Sequence, residues 1–125
     1  MPDCEADWEF IRRCLSTLKA IGYEGGINVE TATGKAAGLT RARYYPGAKE
    51  LIVKVIADRK THRLIGAQII AGEEATGRID WLTSAILGGI TAEEFLVRSE
   101  NAYCPPTSQV RDVVFAAVED LVKNL

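Results

Sequence analysis

Two short segments carry the side chains best suited to chemistry. In the first, two cations precede two adjacent phenols: Arg41, Arg43, Tyr44 and Tyr45. Cations beside aromatic rings can bind a phosphate group or an adenine ring. A structural arm is the plainer interpretation of the same residues, and the sequence leaves the binding interpretation open beside it.

The second segment places a phenol and a thiol before two prolines: Tyr103, Cys104, Pro105 and Pro106. Prolines fix the backbone, and rigid placement is what a functional site requires, although a loop entering a helix uses the same residues. A phenol with an ordinary pKa of about 10 is neutral at pH 7, so Tyr103 could donate a hydrogen bond or a proton. Cys104 would be reactive beside a cation, and is otherwise a small packing residue.

Other candidate groups support plainer interpretations. The single histidine, His62, lies in a charged predicted turn where no packed partner would hold it in a catalytic triad. One histidine and three scattered cysteines do not supply the ligands of a zinc site, so no metal site is predicted. Two adjacent carboxylate pairs are interpreted as surface charge: Glu73, Glu74, Glu93 and Glu94.

Length and charge exclude several classes of protein. The chain has 125 residues with 15 Lys and Arg against 17 Asp and Glu, which predicts one domain over 1–125 and argues against nucleic-acid binding. No apolar run approaches the ~18 residues of a membrane span, and the acidic amino terminus is unlike a secretory signal. An odd number of cysteines without a C-x-x-C motif favours free thiols, and we expect a cytoplasmic protein.

Apolar periodicity predicts the elements that position these segments. Residues 1–21 form an amphipathic helix, whose stripe contains Trp8, Ile11, Leu15 and Leu18, widened by Cys14 and Ile21. A strand-like run at 27–33 and an extended arm follow, and then a β-hairpin pairs 51–58 with 63–71. Both hairpin strands carry apolar residues on both faces, so helices or a partner chain should cover the sheet on two sides.

Three helices follow the hairpin. The first runs from Ala75 to Gly88, and the second begins with a capping box formed by Thr91 and Glu94. The last carries an apolar stripe from Val110 to Leu125, with Thr107 or Ser108 as its cap and Asp112 on its polar face. The predicted fold is α+β, with an amino-terminal helix, an antiparallel sheet of three to five strands and three carboxy-terminal helices.

Several ordered motifs over residues 27–122 resemble the dimerisation domain of pyridine nucleotide-disulfide oxidoreductases. The similarity is strongest to the branch with NADH oxidases and coenzyme A-disulfide reductases. The matching segments are 44–48, 51–58, 64–70, 78–80, 85–86, 89–91, 103–106 and Asp112.

This resemblance implies a domain that pairs with a second copy of itself. Family members carry FAD and NAD(P)H on preceding domains, so this chain is expected to bind neither cofactor alone. Tyr103 and either Tyr44 or Tyr45 match tyrosines that reach the partner chain's active site. Cys104 replaces the family's usual alanine, and the histidine base of the glutathione reductase branch has no counterpart beside Pro105.

Three hypotheses follow. The leading one is a homodimerisation module without turnover of its own, whose redox chemistry requires a separate chain that binds FAD and NAD(P)H. The second is a protein that binds coenzyme A or a related thiol cofactor, with Arg41 and Arg43 on the phosphates and Cys104 near the sulfur. The third is a thiol-dependent catalyst built on Cys104.

Overall fold

The computed structural model describes residues 30–125 of the chain. The predicted helix over 1–21 and the start of the predicted strand at Ile27 lie outside these residues. The described elements are β1 (Thr31–Leu39), β2 (Glu50–Asp58), β3 (Leu64–Ala71), α1 (Thr76–Leu87), α2 (Ala92–Arg98) and α3 (Val113–Asn124). The antiparallel sheet and the three following helices confirm the predicted α+β class.

The three strands form one antiparallel sheet in the order β1-β2-β3, and the register places Lys35 opposite Lys54 and Lys54 opposite Gln68. The predicted hairpin is confirmed as β2 and β3. Of the strand predicted at 27–33, residues 31–33 belong to β1, but the predicted end was wrong, because β1 continues to Leu39 through a run of small residues. Those residues have weak β propensity of their own, and pairing with β2 overrides it.

Burial alternates along β2. Leu51, Val53 and Val55 point into the core, whereas Ile52 and Ile56 on the opposite face are only half-buried. The core side packs on the helices, where Trp81 stacks on Phe95 with ring centroids 5.0 Å apart. Within residues 30–125, the helices therefore cover only one of the two sheet faces that the sequence predicts to be covered.

Helix α3 lies unusually close to β1. A Cβ atom at Gly34 would lie 2.2 Å from the carbonyl oxygen of Ala117, so only glycine permits this approach. At the same edge, the backbone N–H of Lys35 donates to Asp120 and the side-chain amide of Asn124 donates to the carbonyl of Thr33, each at 2.9 Å. Side chains of α3 thus provide hydrogen-bond partners for some of the unpaired backbone groups at the free edge of β1.

The start of the last helix was predicted wrongly. The helix begins at Val113, and Val110 is exposed. Its N-cap is Asp112, whose carboxylate accepts the backbone N–H of Val114 at 3.0 Å. Thr107 and Ser108 are not the caps, because their backbone N–H groups close a turn on the carbonyl of Cys104. Asp112 is buried rather than on a polar face.

The close approach of α3 to the sheet predicts a large difference between two glycine substitutions. We expect Gly34→Ala to destabilise the fold by about 3 kcal/mol or more, because backbone atoms of α3 must move. Gly77→Ala in α1 meets nothing within 4 Å and should be neutral or stabilising by up to about 1 kcal/mol. Urea denaturation of both variants measures this difference, and equal stabilities would contradict the packing described.

Candidate functional site

Two phenols from distant parts of the chain meet at the surface. Tyr44 lies in the connection between β1 and β2, and Tyr103 lies in the loop between α2 and α3. Their hydroxyl oxygens are 2.8 Å apart, within hydrogen-bond distance. Tyr44 is 75% exposed and Tyr103 is 47% exposed, so neither ring belongs to the core.

The contact between the two phenols also affects proton affinity. The hydrogen bond to Tyr44 raises the pKa of Tyr103 above its ordinary value of 10.0, and partial desolvation adds to the increase. Tyr103 therefore keeps its proton at neutral pH. What the pair can offer chemically is a neutral O–H group, which donates a hydrogen bond or a proton.

Arg78 of α1 connects the two loops that carry these tyrosines. Its Nε donates to both carboxylate oxygens of Asp112, at 3.1 and 2.9 Å. Its Nη2 donates to the carbonyl of Thr40 at 2.7 Å and to that of Thr107 at 3.2 Å. Thr40 leads into the loop of Tyr44, and Thr107 belongs to the loop of Tyr103. One guanidinium group thus fixes both loops and the start of α3.

The ion pair at the centre of this network is well buried. The side chains of Arg78 and Asp112 are 12% and 2% exposed, and their closest N–O distance is 2.8 Å. Sequence analysis identified Arg78 only as part of a matching motif and assigned it no role. Sequence reasoning missed the burial of this pair, because an N-cap aspartate and a surface aspartate have the same pattern in a sequence.

A second ion pair strengthens the start of the Tyr44 loop. Arg41 binds Glu73, and the hydroxyl of Thr40 donates to the same carboxylate. The bond from Thr40, followed by the bond and charge of Arg41, lowers the pKa of Glu73 below its ordinary value of 4.5. Glu73 therefore has a structural partner and is more than the plain surface charge that the sequence suggested.

A cavity of about 540 Å³ lies between the start of α1 and the Tyr103 loop. Its wall includes Arg41, Glu73, Arg78, Asp112 and Ala102, the residue before Tyr103. Among the described residues, the Nε of Arg41 is buried without a hydrogen-bond partner. The cavity therefore borders the Tyr103 loop at Ala102 and is lined by the two ion pairs that support the tyrosine loops.

The remaining predicted site residues lie beside the pair and outside its contacts. The side chain of Tyr45 is partly exposed, and its backbone N–H donates to the carbonyl of Ala42. Arg43 is exposed. Cys104 carries an exposed free thiol, and its backbone N–H donates to the hydroxyl of Ser108 at 3.2 Å. The structure thus brings Tyr44, and not Tyr45, to Tyr103.

His62 lies at the other end of the sheet. It has a positive φ of 59°, and its Nδ1 lies 2.6 Å from Glu93, so the predicted solvated turn residue has a partner. Over residues 30–125 there is no cluster of three metal-ligating side chains. In the same part of the chain, no helix is long and apolar enough to cross a membrane.

Comparison with known proteins gives a consistent result. The family described as pyridine nucleotide-disulphide oxidoreductase, dimerisation domain, matches residues 17–113. The NADH oxidase of Methanocaldococcus jannaschii is 44% identical over 92 residues, which are 74% of this chain and 20% of the oxidase. The NAD(P)H coenzyme A polysulfide/persulfide reductase of Pyrococcus horikoshii is 34% identical over 114 residues, 90% of this chain and 24% of the reductase.

Solved structures show the same similarity. The NAD-dependent persulfide reductase of A. fulgidus aligns with a TM-score of 0.67 and 32% identity, over 83% of this chain and 18% of that structure. Reduced CoADR-RHD of Bacillus anthracis aligns with a TM-score of 0.70 over 86% of this chain and 18% of that structure. Its 23% identity supports the fold alone. The chain spans about a fifth to a quarter of the curated relatives described above.

The buried ion pair predicts unequal effects for two arginine substitutions. Arg78→Met should destabilise the fold by about 3–5 kcal/mol, because it leaves the buried carboxylate of Asp112 without its cation. Arg98→Met, which removes an exposed pair with Glu94 at 3.9 Å, should cost at most about 0.5 kcal/mol. Thermal and urea unfolding test both, and a small effect of Arg78→Met would show that this network does not support the loops.

Proposed function

The chain belongs to the dimerisation-domain family of the pyridine nucleotide-disulphide oxidoreductases, similar to NADH oxidases and coenzyme A-disulfide reductases, and from this we propose its function. It forms a symmetric homodimer, and it contributes Tyr44 and Tyr103 to a redox site in a partner chain. A surface patch that pairs with itself produces a two-fold symmetric dimer. In such a dimer, each copy presents the same loops to the other.

The observation that carries the proposal is the fixed but exposed tyrosine pair. The two rings add little to the core, yet their loops are held by a buried guanidinium group with bonds to both. Exposed side chains on rigidly supported loops are typical of binding and catalytic positions. The hydrogen bond between the hydroxyls further fixes the orientation of Tyr103.

The chemistry available to this pair is proton donation. A neutral Tyr103 can donate to a thiolate or a peroxide oxygen in the partner's site, and Tyr44 orients the hydroxyl. A phenol cannot move a hydride from nicotinamide to a substrate. The electrons therefore come from FAD and NAD(P)H on other domains or on a separate chain.

The described residues are poorly suited to hold a dinucleotide themselves. Nucleotide-binding turns between a strand and a helix are rich in glycine and present backbone N–H groups to phosphates. In residues 30–125, the turn from β3 into α1 is Gly72, Glu73, Glu74 and Ala75, and its two carboxylates would repel a pyrophosphate. This supports cofactor binding outside the chain, and the exposed thiol of Cys104 suits a reducing cytoplasm.

Coenzyme A binding by Arg41 and Arg43 receives less support. The guanidinium group of Arg41 is already paired with Glu73, so a phosphate would have to compete with that carboxylate. Catalysis by Cys104 stays a prediction.

Sedimentation of the purified chain tests the dimer. We expect a dimer at micromolar concentration, together with a colourless protein that does not oxidise NADH. A monomer at that concentration would count directly against the proposal. A yellow protein would refute the placement of the flavin on other residues.

A chimera tests the role of the tyrosines. This chain replaces the matching fifth of the Methanocaldococcus jannaschii NADH oxidase, which supplies the remaining domains. Tyr103→Phe in the chimera should lower kcat about a hundredfold at unchanged flavin content, because a proton donor is lost. Tyr45→Phe is the matched control and should retain its activity.

The same chimera distinguishes the two candidate partners of Tyr103. Tyr44→Phe should lower kcat less than Tyr103→Phe does, because Tyr44 orients the donor. Full activity of Tyr103→Phe would refute the catalytic assignment. A loss in Tyr45→Phe without a loss in Tyr44→Phe would refute the pairing.

A further inference from the structure

One face of the sheet has no covering element among residues 30–125. We call it the open face. It presents apolar side chains near both ends and a basic row across its middle: Ala37, Ile52, Ile56 and Ile70 with Lys35 and Lys54. Ile70 is 71% exposed, and the two isoleucines of β2 are half-buried. Burial of β-branched residues on a sheet face is favourable, so we expect another segment or molecule to pack on this face.

A second copy of the chain fits the open face poorly. Lys35 and Lys54 are direct cross-strand neighbours midway along β1 and β2. Stacking two such faces about a two-fold axis would place four ammonium groups close together in a dry interface. Juxtaposed like charges weaken an interface, so the occupant should be apolar and acidic.

The chain itself contains a segment with that chemistry. Residues 3–21 have the amphipathic stripe of Trp8, Ile11, Leu15 and Leu18. If this segment is helical, at about 100° per residue, Asp7 would project between Cys14 and Leu18, which would put its carboxylate within the apolar stripe. A buried acid needs a cation, and the lysines of the open face would provide one.

The dimensions also agree. A helix of 19 residues would be about 28 Å long and about 10 Å wide. Strands of nine residues are about 30 Å long, and three strands span about 10 Å between their outer axes. Residues 22–29, which precede β1, can reach about 26–29 Å when extended, enough to return the chain from either end of the sheet.

We propose that residues 3–21 form an amphipathic helix that docks on the open face, with its apolar stripe on Ile52, Ile56 and Ile70 and Asp7 toward Lys35 and Lys54. The domain then has helices on both sides of its sheet. This inference does not depend on the proposed redox function.

Cysteine reactivity tests the proposal in the intact chain. Cys14 lies on the proposed docking stripe, whereas Cys104 is exposed and serves as an internal reference. Each alkylation rate is divided by the rate of the same cysteine in the urea-unfolded chain, with peptides resolved by mass spectrometry. We expect Cys14 to be protected about tenfold or more relative to Cys104.

Two sheet variants show whether the open face causes the protection. Ile70→Asp removes an apolar contact, and Lys54→Glu places a carboxylate opposite Asp7. Both should raise the reactivity of Cys14 at least about fivefold without changing that of Cys104. Val97→Asp is the matched control, because Val97 is 85% exposed on α2, and it should leave Cys14 protected.

Three results would overturn the proposal. The first is a Cys14 that reacts as fast as Cys104 in the unaltered chain. The second is a Cys14 whose protection survives both Ile70→Asp and Lys54→Glu. The third is a dimer that Ile70→Asp converts to a monomer in sedimentation, which would identify a second copy as the occupant. A dimer unaffected by Ile70→Asp, with Cys14 exposed only in the sheet variants, supports the docked helix.

Discussion

The buried pair of Arg78 and Asp112 is the interaction on which the site depends. Asp112 caps α3, and the same carboxylate holds Arg78, whose Nη2 donates to the carbonyl of Thr40, before the Tyr44 loop, and to that of Thr107, in the Tyr103 loop. A charge removed from water is costly, and here the Nε and Nη2 donors of Arg78 and both carboxylate oxygens of Asp112 have partners. These bonds fix the relative position of a strand end, a loop and a helix start.

The rest of the fold provides the rigid support for that pair. Gly34 lets α3 lie directly against β1, and side chains of α3 satisfy part of the strand edge. The helix start therefore cannot shift without disturbing the sheet. Two exposed phenols are thereby held at hydrogen-bond distance by a frame that is itself largely buried.

Local patterns predicted the parts of the fold that depend on local chemistry. The predictions of the β-branched hairpin and of the capping box of Thr91 and Glu94 were confirmed, because turns and helix caps depend on residue types within a few positions of one another. β1 was missed in part because its residues are small and gain strand structure only by pairing. Tyr44 and Tyr103 are 59 residues apart, so only the resemblance suggested that Tyr103 and one of the two adjacent tyrosines reach the same site, and only the structure distinguished Tyr44 from Tyr45.

Arg78 holds the tyrosine pair together through its bonds to the two loops. The most direct measurement is a pH titration of the Tyr103 hydroxyl. NMR monitors it through the chemical shift of the ring carbon that carries the hydroxyl, in a chain isotope-labelled at tyrosine. We predict that Tyr103 titrates above its ordinary pKa of 10.0 in the unaltered chain and returns toward that value in Arg78→Met. A Tyr103 titration identical in the two proteins would contradict it.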